Sequence, residues 1–137
     1  MKFPYTKFAV HEKKTISRPS LWIFFKNGKR FIFTEGIIDS GADYVILPIE
    51  MAGELGIKLD IQKKEKFIGA GKNSFNVYSS ETKITYTLKQ NGFRNYEVET
   101  IVYFAESQPS VLLGNYGFLD QFKITLDGIR KEIEITK

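Results

Sequence analysis

Apolar residues along the chain fall in short runs, broken by polar stretches that carry glycine or asparagine. Residues 21–25 (LWIFF) and 30–38 (RFIFTEGII) flank KNGK, where Asn27 and Gly28 both tolerate positive φ. That arrangement predicts a β-hairpin. Residues 83–90 (KITYTLKQ) and 96–104 (YEVETIVYF) flank Asn91 and Gly92 and predict a second one. In the latter run Val98, Thr100 and Val102 alternate with Glu97, Glu99 and Ile101, the period of a strand. Residues 48–56 (PIEMAGELG) predict a short helix, with Pro48 to open it and Gly56 to close it. A second short helix is predicted over 116–122 (YGFLDQF), and a last strand pair over 122–126 and 131–137, around Asp127 and Gly128. Many short strands with regular turns predict an all-β fold, a sandwich or a closed barrel, with one or two short helices.

Composition places this pattern in one folded domain, residues 1–137. A hydrophobic content of 42% with 26% charged residues is that of a globular chain with one core. A net charge of +4 and a pI near 9.2 raise the question of nucleic acid. The lysines are mixed with acids, as in QKKEKF and IRKEIEITK, so a solvated surface is expected and no nucleic-acid partner. Cysteine is absent, which excludes disulfides, thiol catalysis and thiolate metal sites. The single histidine, His11, has no triad or metal partners and belongs on the surface. No apolar run is long enough to span a membrane, and MKFPYTKF lacks a signal peptide's apolar core. The expectation is a cytoplasmic protein without membrane contact, metal or cofactor.

One stretch does not fit a purely structural account. In EGIIDSGADYVILP, residues 35–48, an aspartate, a hydroxyl and a glycine directly follow two isoleucines. A carboxylate beside so much aliphatic surface is costly unless something compensates it. Asp, Ser and Gly are also common where a strand turns into a loop. Two later features add to the triplet: FIGAGKNSF at 67–75, a glycine-bearing loop between apolar stretches, and PSVLLGNYGFLDQFKITLD at 109–127, an aliphatic strand ending in glycine before a short helix. Together IIDSGA, the glycine loop and VLLG resemble the retropepsin-like aspartic proteases in order and spacing, from about residue 21 to 127.

The resemblance implies a closed, barrel-like retropepsin fold and an endopeptidase that acts as a homodimer on an extended peptide or protein. Peptide hydrolysis without cysteine or a histidine base leaves carboxylates as acid and base, and two are needed close together. The chain holds one Asp-Ser-Gly triplet, so the second Asp39 would come from a second copy across a two-fold axis. Asp39, Ser40 and Gly41 are the implied catalytic triplet. The Gly41 N–H would approach the carboxylate, and the Ser40 hydroxyl would bond across the axis to the opposite loop. Ile37 and Ile38, with Val111, Leu112 and Leu113 behind them, would keep water from one side of the loop. Ile68, Gly69, Ala70 and Gly71 are the implied flap tip, although GAG by itself is more often a plain hairpin turn. Ala42, Asp43, Val45 and Ile68 are the expected wall of the cleft.

The subunits are expected to meet through FKITL at 122–126. Whether KEIEITK joins that contact or only closes a hairpin inside one subunit is open. Family members often carry arginine after the late glycine, paired with the acid beyond the triplet. Here Asn115 stands in its place, able to bond Asp43 but without charge assistance, so a weaker dimer is expected. A dimer of this fold that binds peptides without cutting them is the alternative reading.

Overall fold

The computed structural model describes every residue from Met1 to Lys137. Its first strands are β1 (Lys2–Pro4), β2 (Thr6–Ala9) and β3 (Thr15–Arg18), followed by the hairpin of β4 (Ser20–Asn27) and β5 (Arg30–Ile38). Asn27 pairs with Arg30, and Gly28 at its turn has φ 60°, as the Asn-Gly pair requires. After β6 (Ile46–Pro48) comes the one α-helix, α1 (Glu50–Glu54). Pro48 ends β6 opposite Ala105, so the helix starts two residues later than its expected opening at Pro48. Gly56 closes it at φ 66°: its N–H donates to Gly53 O, and Ile57 N–H reaches back to Ala52 O.

The hairpin of β7 (Glu65–Ile68) and β8 (Ser74–Ser79) precedes β9 (Ile84–Leu88) and β10 (Tyr96–Thr100). The run expected as one strand over 96–104 is two, because β11 (Tyr103–Ala105) leaves the β9 ladder to pair with β6 and β8. The break falls at Val102, fully buried, whose N–H donates to Ser80 Oγ and whose carbonyl accepts from Ser80 N–H. After β12 (Val111–Leu113), the expected second helix is a single 3₁₀ turn at Leu119–Gln121.

The chain closes with β13 (Lys123–Asp127) and β14 (Glu132–Thr136), a hairpin in which β14 also pairs with β1. Both edges of β14 are therefore used inside the chain, which makes KEIEITK the closing strand of one subunit. The outer edge of β13 carries no partner strand.

The architecture is mostly β, with one short α-helix. Nine strands form one sheet in the order β10-β9-β4-β5-β12-β6-β11-β8-β7. It does not close into a ring: β10 and β7 are its edges. Alternation along β4 sends Leu21, Ile23 and Phe25 inward and leaves Trp22 and Lys26 outside. The inward set meets Tyr86 and Leu88 of β9, Phe118, and Ile133 and Ile135 of β14 in the main core. A smaller core of Ala42, Ile46, Val77 and Ala105 lies to one side, with Tyr44, Phe67, Phe75, Tyr103 and Leu112 packed against it. That second core underlies the site.

Candidate active site

Two chain segments cross at the site, and each fixes the other. The end of β5 runs parallel to β12, with Gly36, Ile37 and Ile38 opposite Val111, Leu112 and Leu113. A β-carbon at Gly36 would stand 2.9 Å from the Leu113 side chain, which would have to shift within the core to admit it. At the strand end Asp39 N–H donates to Leu113 O (3.1 Å), and Ala42 N–H donates to Asp39 O (3.1 Å), turning the chain back. Gly41 N–H donates to Asp39 Oδ1 at 2.9 Å. The carboxylate is thus half-buried and opens into a cleft, while Ile38 beside it points into the core. The desolvation cost posed by the two isoleucines is avoided because the chain turns at Asp39.

The returning segment is sewn to the one after β12. Asn115 N–H donates to Ala42 O (2.9 Å) and Tyr116 N–H to Asp43 O (2.7 Å). The Asn115 side-chain amide donates to Ser40 O at 2.8 Å and Ala42 O at 2.9 Å. Asn115 therefore braces the backbone of the loop itself, and the expected bond to the Asp43 carboxylate is not made. A carboxamide is short and its two hydrogens diverge, which suits two nearby carbonyls.

The cleft, about 800 Å³, lies between this loop and the β7–β8 hairpin. Asp39, Gly41, Ala42 and Asp43 line it from the loop, and Ile68, Gly69 and Ala70 from the hairpin. The hairpin tip is closed by Gly69 N–H donating to Asn73 O (2.7 Å), and Gly71 beside it has φ 73°. Gly71 does not line the cleft, nor does Ser40, which is exposed.

Val45 is placed differently from expectation. It is fully buried in the main core, and its neighbour Ile46 lines the cleft instead, because successive residues of an extended segment face opposite sides. The same alternation divides β12: Val111 and Leu113 enter the core, whereas Leu112 faces the cleft. Phe67 and Phe75 of the hairpin add apolar lining that the linear sequence did not mark, and Lys66 and Gln108 add polar lining. No three histidine, aspartate or glutamate side chains gather into a metal-holding group.

The family sequence model described as aspartyl protease matches residues 24–116, more than half of the chain, and spans both the Asp39 loop and Asn115. The chain belongs to the aspartyl protease family. No curated protein matches it in sequence. Among solved structures this aspartyl protease chain is similar to a retropepsin-like aspartic protease from Rickettsia conorii. The TM-score is 0.57 at 14% identity, covering 99% of this chain and 98% of that one. It is also similar to EIAV protease complexed with the inhibitor HBY-793, with a TM-score of 0.47 at 19% identity, covering 78% of this chain and 88% of that one.

Behind the hairpin of this family member, Glu106 follows β11 and accepts from the Asn76 amide and the Tyr78 hydroxyl, both at 2.9 Å. The Asn76 bond first, then the Tyr78 bond, hold the Glu106 carboxyl below its ordinary value of 4.5. A folded-state value below the unfolded one contributes stability that is complete above about 4.5 and lost as pH falls through the folded value. Glu106→Gln should therefore melt at lower temperature than wild type at neutral pH, with the gap closing as pH falls below 4.5. Melting curves across pH check this, and a gap independent of pH would show that the charge is not what holds the hairpin base.

Proposed function

We propose that the chain is a homodimeric aspartic endopeptidase in which two Asp39 carboxylates, one per subunit, activate a water. The observation that carries this reading is the Asp39 carboxylate itself: held by Gly41 N–H, it opens into a cleft roofed by a glycine-bearing hairpin. One subunit supplies a single Asp-Ser-Gly triplet, so a two-carboxylate mechanism needs a second copy. Two carboxylates that close cannot both ionise easily, and they share one proton. The ionised member takes a proton from water as it attacks the scissile carbonyl. The protonated member stabilises the developing oxyanion, and a proton then passes to the leaving amine.

Ser40, which is exposed in the single chain, bonds the opposite loop across the axis. The β7–β8 hairpin acts as the flap, with Gly69 and Ala70 over the substrate backbone. An extended peptide binds as an added strand, its apolar side chains against Ala42, Ile46 and Leu112. The free outer edge of β13, within FKITL, is the surface through which the subunits meet.

Dilution tests the reading directly. Cleavage of a mixed peptide library should rise more steeply than linearly with enzyme concentration. It should show a bell-shaped, mildly acidic pH profile and stop with a statine-type transition-state mimic. Rate proportional to enzyme down to a concentration where sedimentation finds only monomer would overturn the dimer mechanism. Peptide binding without cleavage at any concentration would leave a binding module in its place.

A further inference from the structure

We propose that Phe67 is a positioning residue, a single aromatic ring that clasps the flap to the loop bearing Asp39. The role assigned to the flap rests on the proposed function, whereas the clasp itself rests on geometry alone. The two strands of the hairpin are held very differently. β8 pairs with β11 along its inner edge, and its Asn76 and Tyr78 side chains bond Glu106. β7 is the end of the nine-stranded sheet and pairs with β8 only. Its position against the body depends on side chains.

Lys66 and Ile68, on either side of Phe67, are exposed, and Phe67 is the residue of β7 that packs against the second core. Its ring lies 4.9 Å from that of Tyr103 and 5.6 Å from that of Tyr44, stacked on the latter at an interplanar angle of 22°. Phe75, across the hairpin, meets it edge-on at 6.2 Å. Tyr103 is fixed within β11 between β6 and β8. Tyr44 is in the loop that begins at Asp39. It bridges to Tyr116 through the backbone and through a ring contact at 5.8 Å, next to the Tyr116 N–H bond to Asp43 O. Tyr44 also packs on Tyr103 at 4.7 Å, so three rings form a closed triangle.

Because the triangle joins an edge strand to the reacting loop, it sets where the hairpin rests above Asp39. Flap and loop then loosen together when the ring is lost. A peptide entering the cleft meets a roof already held near its working position, so the clasp contributes to binding equally in the ground and transition states. That predicts a change in KM with kcat preserved.

Hydrogen–deuterium exchange on the apo protein tests the clasp whether or not the protein cuts peptides. In Phe67→Ala the amides of residues 66–76 and the Tyr116 amide should exchange about 10-fold faster, the size expected for losing two aromatic contacts. Phe67→Tyr should exchange like wild type, and Ile68→Ala, on the same strand but facing away from the triangle, should leave the Tyr116 amide unchanged. With a cleavable peptide, Phe67→Ala should raise KM about 10-fold with kcat nearly unchanged. A Tyr116 amide that exchanges at the wild-type rate in Phe67→Ala, or one equally accelerated by Ile68→Ala, overturns the proposal. So does a loss confined to kcat. Should Phe67→Ala fail to fold, Phe67→Leu carries the test with the same pattern at smaller amplitude, and wild-type exchange there overturns it.

Discussion

Asp39→Asn should leave the fold intact and lower kcat for peptide cleavage by about 10³-fold or more, the scale of losing a positioned acid–base group. Asparagine has the same shape as aspartate and keeps an oxygen for the Gly41 N–H bond now made at 2.9 Å. The turn that follows depends on backbone bonds, Asp39 N–H to Leu113 O and Ala42 N–H to Asp39 O, which the substitution does not touch. In the proposed mechanism, what is lost is the capacity to take a proton from water and to share one with the matching carboxylate. The variant should therefore unfold at the same denaturant concentration as wild type and still bind a statine-type inhibitor, more weakly. Single-turnover assays with purified variant measure the rate. If Asp39→Asn cuts peptides as fast as wild type, the proposed chemistry is wrong, whatever the fold.

The largest expected loss of stability lies at Gly114. A β-carbon there would stand 2.6 Å from Ala42 O and 2.9 Å from the Tyr44 carbonyl carbon, with Tyr44 O closer still. These are backbone atoms. Ala42 O already accepts from Asn115 N–H and from the Asn115 amide, and the adjoining Asp43 O accepts from Tyr116 N–H. The two segments cannot separate to admit a methyl group without breaking several of these bonds. Gly114→Ala should cost roughly 3 kcal/mol or more, at the upper end for overpacking because the obstacle is not a flexible side chain. Peptide cleavage should fall with it, since the same crossing sets the Asp39 loop. Gly53→Ala is the matched control: a β-carbon there meets nothing within 4 Å, and in α1 it should stabilise by about 0.5–1 kcal/mol. Urea denaturation of both variants decides the point, and a Gly114→Ala protein as stable as wild type would show that the crossing is softer than its bonds suggest.

The parts of the fold that were legible are those specified by neighbours in sequence. Asn27 and Gly28 set the β4–β5 turn, and Gly56 ends α1, because each conformation is decided within a few residues. The N-terminal strands were not legible. Lys2 to Pro4 form β1 only through pairing with residues 132–134 at the other end of the chain. Nothing in MKFPYTKF signals that partner. The division of residues 96–104 at Val102 was hidden for a similar reason: Ser80, outside the run, supplies the bonds that break it.

The site divides along the same line. The identity of its chemistry is local: Asp39, Gly41 and the turn around them follow from three consecutive residues and the glycine-ended strand further on, and these were enough to point to the family. The walls are not local. Val45 and Ile46 are equally apolar, and the register in which the segment docks sends the first into the main core and the second to the cleft. Asn115 offered one candidate partner, the Asp43 carboxylate, and found two carbonyls instead because the crossing of the segments brings Ser40 O and Ala42 O within its reach. Phe67 reads in sequence as one more strand aromatic. Its place between Tyr44 and Tyr103 exists only once β7, β11 and the Asp39 loop have assembled. Local order encodes turns and reactive groups, since both depend on short-range sterics and on residue type. Packing partners and cleft walls come from long-range pairing, in which many apolar residues are interchangeable until the register of the sheet selects among them.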